Sequence, residues 1–528
     1  MKAFTEPLLS LAGFEEMTKT AEKSSGLISV TGCIDAQKSQ MIYAFGGHRK
    51  NKLIVTFGEQ KAKELYDEYS FFDKEVVYYP SKDVLFYQSD IRGNLLTAER
   101  IRALKAIREQ ERVTLVTTFD ALMNTMAPIE KMWENVLTLE LGQLLDLKEI
   151  QAALIRMGYE KEYQVQTMGQ FSVRGGILDV FPLTEENPIR IELWGDEIDT
   201  IRYFDCESQK SIENIDRVSI YPAAELVLSD EEKAGGIDKL KAEAKRVSDK
   251  LRKQMKTEEA HRVTVMADEL TEEWGELSMY AGMDAFLSYF FDERVGILDY
   301  FNPSDSIIFF DELTRCVEQG KLTETEFSES MKQRLAMGYI LPGQMNGLFT
   351  EKEIVAKLGK YSCIALGALD NKANGLHQLG SYGIHCQSVS PYNNSFELLI
   401  KDLKRYKKNG YRVILLSGSR TRAKRLSEDI TDQGITCFYT ENYDHELFEG
   451  QIMVCYGKVR RGFEYPILKF AVITESDIFG AQQKKKKRHR TYEGEKIQSF
   501  TDLSVGDYVV HENHGLGIYL SLIHISEP

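Results

Sequence analysis

Residues 32–39 read Gly32-Cys33-Ile34-Asp35-Ala36-Gln37-Lys38-Ser39 and follow the apolar run LISV. The spacing is one letter from G-x-x-x-x-G-K-[S/T]. In that loop the glycines let backbone N–H groups approach phosphates, the lysine bridges them and the hydroxyl holds magnesium. Here Gln37 stands where the second glycine belongs and places a Cβ at the point of closest approach. The expectation is a vestigial nucleotide loop that keeps the fold and holds no ligand; a weakly binding loop and a coincidental match are the alternatives. A second candidate is Ile307-Ile308-Phe309-Phe310-Asp311-Glu312, an apolar run ending in two acids. Beside a working phosphate loop, such an Asp orders magnesium and such a Glu positions the attacking water. Alternatively, the two acids cap the helix that starts at Leu313.

A third stretch, Gly457 to Pro466 with Arg460, Arg461, Gly462 and Glu464, precedes LKFAVITESD and is similar to a segment in the second lobe of helicase-type motors. There an arginine-rich element supplying a transition-state finger should follow. QQKKKKRHR follows instead, so with loop and finger both altered no catalytic residue is expected and rapid ATP hydrolysis is not. The basic run Lys484–Arg490 reads as a solvated linker, with DNA contact as the alternative. His511-Glu512-Asn513-His514 has the wrong spacing and the wrong periodicity for a helical zinc motif, so no metal is expected.

The most distinctive stretch is FSVRGGILDVFP with PIRIELWGDEID, containing Arg174, Arg190 and Trp194. Read with period 2, Arg174 and Ile177 fall on opposite faces, while Arg190 shares a face with Glu192 and Trp194. Exposed Arg and Trp on one sheet face would make a protein-docking hot spot; surface salt bridges around a core Trp194 are the alternative.

The elements that must position these residues follow from the texture of the chain. Residues 1 to about 135 alternate strand-like runs (KLIVTFG, EVVYYP, VTLVTTF) with helical ones, which indicates a parallel sheet flanked by helices. Residues 136–215 turn into short strands separated by turns, a small α+β module inserted in the first lobe. Residues 216–345 complete that lobe through long helical stretches. Residues 346–480 read as a further α/β domain, 481–499 as a basic linker, and 500–520 as the beginning of a small β-barrel. Residues 521–528 break the alternation, so a truncated end is expected there.

At 528 residues, with 43% hydrophobic and 28% charged residues, the chain has the material for several folded domains. Its net charge of −15 argues against a general nucleic-acid-binding surface, though not against local basic patches. Seven singly placed cysteines, without zinc spacing, together with no secretory signal or membrane-length apolar run, point to a cytoplasmic protein with reduced thiols and no membrane partner.

The VRGGILDVFP and PIRIELWGDEIDTIRYFD segments, VVYYPSKDVLFYQSD, MDAFLSYFFDERVGILDYF and GDYVVHENHGLGIYL together resemble the N-terminal half of the bacterial transcription-repair coupling factors, the Mfd family. The resemblance runs from near residue 5 to Leu520. It implies an α/β multidomain layout: a UvrB-like, degenerate RecA-like lobe carrying an inserted UvrA-binding module, a linking domain, and the start of an RNA-polymerase-interacting domain. By the same resemblance Arg174, Arg190 and Trp194 are UvrA-docking positions, and Gly32, Gln37, Lys38, Ser39, Asp311 and Glu312 are remnants of a nucleotide site. ATP, Mg2+ and double-stranded DNA would be engaged by the motor of the full-length protein, with no cofactor expected here. RNA polymerase is the second implied partner, with its binding domain represented here by Thr501 to Leu520. UvrB itself, an ATP-dependent excision repair enzyme, is the nearest competitor, but it would need an intact loop at Gln37.

Overall fold

The computed structural model describes residues 1–46, 49–82, 94–276, 283–370 and 372–480, and the strands Tyr508–His511 and Gly515–Ile518. The basic run 484–490, residues 83–90 of the VVYYPSKDVLFYQSD segment, and Glu512–His514 lie outside the described residues.

The first lobe is built on seven strands in the order Gln378–Gly383, Gly26–Thr31, Ser362–Leu366, Ser306–Asp311, Asn51–Thr56, Val113–Thr118, Val76–Tyr79. Every neighbouring pair is parallel. The strands 113–118, 306–311 and 362–366 are buried along their whole length, as a parallel sheet covered on both faces requires. The expected division at residue 346 is corrected here, because the strands 362–366 and 378–383 close the first sheet. The strand 362–366 inserts between the one that feeds the phosphate loop and the one that ends in Asp311. Periodicity marks such a run as a strand but cannot say which sheet it joins.

The second lobe carries six strands in the order Gln387–Ser388, Phe463–Tyr465, Phe470–Thr474, Arg412–Ser417, Ile452–Tyr456, Phe438–Tyr439. Its central strands alternate between two cores. Val413, Leu415, Val454, Ala471 and Ile473 pack under the helices Phe396–Lys408 and Arg420–Asp432. Ile414, Leu416, Met453, Cys455 and Val472 share a core with Ile28, Val30, Met41 and Phe71 of the first lobe. One continuous apolar core therefore joins the two lobes.

The inserted module is a six-stranded sheet, Ser211–Asn214, Glu197–Phe204, Ile189–Trp194, Ile177–Val180, Gln170–Arg174, Glu160–Lys161, antiparallel except for its last pair. Helix Leu147–Arg156, capped by the Asp146 carboxylate on the N–H groups of Lys148 and Glu149, covers one face. Leu137–Glu140 pairs with Arg217–Ile220, whose Val218 and Ile220 enter the module core, so the module extends past the expected end at 215. The helices Asp230–Lys253 and Thr257–Glu276 pack together through Leu240, Ala244, Val263 and Ala267. Separately, Tyr508–His511 and Gly515–Ile518 form an antiparallel hairpin. Among the described residues no helix is long and apolar enough to cross a membrane.

Candidate functional site

The strand Gly26–Thr31 runs into Gly32 at φ +76°, where a Cβ would lie 2.1 Å from the Ile384 carbonyl oxygen. Glycine is needed there on both grounds. The loop amides are already engaged: Gly32 N–H donates to Ala368 O at 3.2 Å and Cys33 N–H to Gly367 O at 3.0 Å. Gln37, Lys38 and Ser39 follow in the helix Asp35–Gly46, all buried.

Lys38 is spent on carboxylates. Its Nζ donates to Asp311 Oδ1, to Glu312 Oε1 at 3.0 Å and to Asp35 Oδ1 at 3.1 Å, and Lys38 and Asp311 are each only 1% exposed at the side chain. Asp311 Oδ2 accepts from Thr56 Oγ1 at 2.9 Å. Burial alone would lower the Lys38 ammonium pKa, but the Asp311 carboxylate, followed by Glu312 and Asp35, outweighs it and holds the group above its ordinary range. Glu312 precedes the helix Leu313–Ala336 in a left-handed conformation and makes no side-chain cap bond. It accepts the Ala368 N–H instead, so it serves as a lysine counter-ion, not as a helix cap.

The Gln37 amide is fully buried and faces the Cys33 thiol and the Tyr465 hydroxyl without a hydrogen bond of good geometry. Tyr465 belongs to the second lobe, and its hydroxyl donates to Gln40 Oε1 at 3.3 Å. The residue that breaks the loop motif thus lies at the seam between lobes. Around the loop the lysine is paired with carboxylates, the Gly32 and Cys33 amides are used, and the Ile384 carbonyl lies against Gly32.

The Gly457–Pro466 segment is stitched to the first lobe. Arg460 pairs with Glu64 at 2.5 Å, and its N–H donates to Glu68 Oε1 at 3.3 Å. Burial pushes the Glu68 carboxyl up to about 7, with Arg460 offsetting part of the shift.

On the module, Asp179 organises the arginines. Its Oδ1 accepts from Arg190 Nε at 2.7 Å, and its Oδ2 accepts from Arg190 Nη2 at 2.8 Å and Arg174 Nη2 at 2.7 Å. Arg190 also stacks 4.4 Å over the Phe204 ring and donates to Gln209. Arg174 directly opposes Ile177 across the hairpin, so the two share a face. This corrects the opposite-face reading: the Gly175-Gly176 turn reverses the chain and breaks the strand parity that a period-2 count assumes. Trp194 ends its strand 85% exposed, which excludes the core alternative. Asp179, 1% exposed, was not picked out from sequence as the anchor. The available signal was its polar position between Leu178 and Val180 in an otherwise apolar strand.

These features define a two-lobed α/β protein with a buried lysine–carboxylate cluster and an inserted sheet that presents a cation-and-aromatic face. Residues 137–226 match the family described as the UvrB interaction domain, and residues 503–527 match the CarD-like/TRCF RID domain. The second match takes in most of the tail 521–528 that was expected to fall outside. Along its length the chain is similar to transcription-repair-coupling factors. It is 29% identical to that of Bacillus subtilis (strain 168) over 89% of this chain and 40% of the relative. It is 29% identical to that of Staphylococcus haemolyticus over 94% and 42%, and 28% to that of Staphylococcus aureus (strain MRSA252) over 96% and 43%. The chain thus spans well under half the length of these relatives.

Proposed function

We propose that this chain acts in transcription-coupled DNA repair as the UvrA-docking part of a transcription-repair coupling factor. The observation that carries this is the coincidence of the UvrB interaction match at 137–226 with the Arg174–Asp179–Arg190 cluster and the 85% exposed Trp194. Asp179 holds both guanidiniums at fixed positions, so little side-chain entropy remains to be lost on binding. Trp194 adds a large, bare ring of the kind that dominates docking energetics.

In this reading the two lobes form a degenerate RecA-like scaffold that binds no nucleotide, because Lys38 is already satisfied by Asp311 and Glu312. The 503–527 match supports RNA polymerase as a second partner, through a small barrel that begins with the hairpin 508–518. Release of polymerase stalled at a lesion, ATP and Mg2+ turnover and grip on duplex DNA belong to the complete protein, in the cytoplasm.

The test is calorimetric titration of the chain with UvrA. Trp194→Ala should weaken binding by about 2 kcal/mol, roughly thirtyfold, without affecting the fold. A folded Trp194→Ala, Arg174→Ala double variant that binds UvrA at the parent affinity would refute the assignment. Lys38-dependent ATP turnover by this chain would favour the UvrB-like enzyme instead.

A further inference from the structure

A cleft of about 370 Å³ opens in the first lobe where the strands Asn51–Thr56 and Val113–Thr118 begin. Thr56, at the other end of its strand, binds Asp311, so the cleft and the phosphate loop lie at opposite ends of the sheet. Arg49, Lys50, Lys52, Lys74 and Arg112 line it, against only Asp73 and Glu75. In a chain of net charge −15 that local excess of cations stands out.

Of the two carboxylates, the more buried one is occupied, and Glu75 alone cannot balance the remaining cations. Asp73 Oδ2 takes Lys52 at 2.9 Å and Thr114 Oγ1 at 2.8 Å. Arg49 and Lys74 bond neutral groups and keep their charge. Arg49 is anchored to the carbonyls of Ala21, Glu22 and Ser304, and Lys74 donates to Ser70 O at 3.0 Å. Lys50 is exposed and has no ion-pair partner among the described residues. Apolar groups line the same cleft: the half-buried Tyr43 ring, packed 5.6 Å from Phe72, and the exposed Leu9.

A concave site of this volume falls in the range of small-ligand pockets. Cations and an aromatic ring lining one cleft match a phosphate ester joined to a planar base. We propose that this cleft binds a nucleoside phosphate, with the phosphate against Lys50, Lys74 and the Arg49 charge and the base against Tyr43 and Leu9. The ligand is either a free nucleotide or the phosphorylated end of a nucleic-acid strand. The site is independent of UvrA docking and uses none of the phosphate-loop residues.

The test is calorimetry on the full chain at low ionic strength without magnesium, using AMP, inorganic phosphate and a 5′-phosphorylated trinucleotide as probes. AMP should bind saturably and more tightly than inorganic phosphate. Lys50→Glu with Lys74→Glu, both exposed side chains, should weaken it by about tenfold or more, the equivalent of about 1.4 kcal/mol. Tyr43→Leu should reduce AMP affinity towards that of phosphate. Binding of AMP but not the trinucleotide assigns the site to free nucleotides, and the reverse assigns it to strand ends. Absence of binding by both AMP and the trinucleotide to millimolar concentration, binding unchanged by the charge reversals, or binding of neither more tightly than phosphate overturns the proposal.

Discussion

Lys38→Ala separates a structural lysine from a catalytic one. In a working phosphate loop this change abolishes turnover; here it should damage the fold. The ammonium it removes is 1% exposed and touches Asp311, Glu312 and Asp35, of which Asp311 is equally buried. Without it, Asp311 keeps only the Thr56 hydroxyl, beside a second carboxylate at Glu312. Breaking a buried ion pair from one side costs about 3–5 kcal/mol. Removing both charges in Lys38→Met, Asp311→Leu should recover most of that, leaving about 1–2 kcal/mol for the unsatisfied Thr56 hydroxyl. The lobes need not unfold in one step, so the readout should be local. Hydrogen exchange in peptides covering 306–312 suits this: a loss of about 4 kcal/mol corresponds to roughly a thousandfold faster exchange wherever it proceeds through lobe opening. Parent-like protection in Lys38→Ala, or a double variant as unstable as the single, would refute the buried-pair account.

The other predictions concern pH, docking and backbone. Glu68 has a folded pKa of about 7 against 4.5 for the ordinary carboxyl, so its proton is held longer in the folded state. Stability is therefore fully present below about 4.5 and falls as pH rises to about 7, by about 3 kcal/mol at most. Glu68→Gln should flatten urea midpoints between pH 5 and 8; a wild-type slope in that variant would rule Glu68 out. Glu225 behaves oppositely. Burial raises its pKa, but Arg100 and Lys82 more than reverse this and hold it at about 2. Its contribution is present above about 4.5 and lost as pH falls towards 2, so Glu225→Gln should cost stability at neutral pH and blunt the acid transition. Arg190→Ala should cost about 2–4 kcal/mol of module stability by stripping the buried Asp179 of its main partner, whereas Trp194→Ala should stay within about 0.5 kcal/mol. Equal denaturation midpoints for these two variants would contradict the geometry. Gly32→Ala should destabilise the first lobe by about 2 kcal/mol or more, since positive φ and the Ile384 carbonyl both oppose a Cβ; an unchanged melting temperature would show that the loop relaxes.

Much was legible in the linear chain. Apolar runs such as Ile307–Phe310 and the LISV segment announced buried parallel strands, because a strand covered on both faces is apolar at most of its positions. The altered loop at Gln37 and the Arg174, Arg190 and Trp194 triplet were also visible as residue types at fixed spacings. Membership and pairing were not. That 362–366 and 378–383 complete the first sheet, and that Arg174 shares a face with Ile177, depend on which strands meet and on how a two-glycine turn resets parity. Only the tertiary structure brought Lys38 onto Asp311, 273 residues away, placed Gln37 against the second lobe and assembled the cationic cleft from scattered segments. Local sequence encodes backbone preference and burial period. Which distant charge satisfies a buried ammonium is decided by the low-dielectric core that the whole chain creates, where an unpaired ion would cost several kcal/mol.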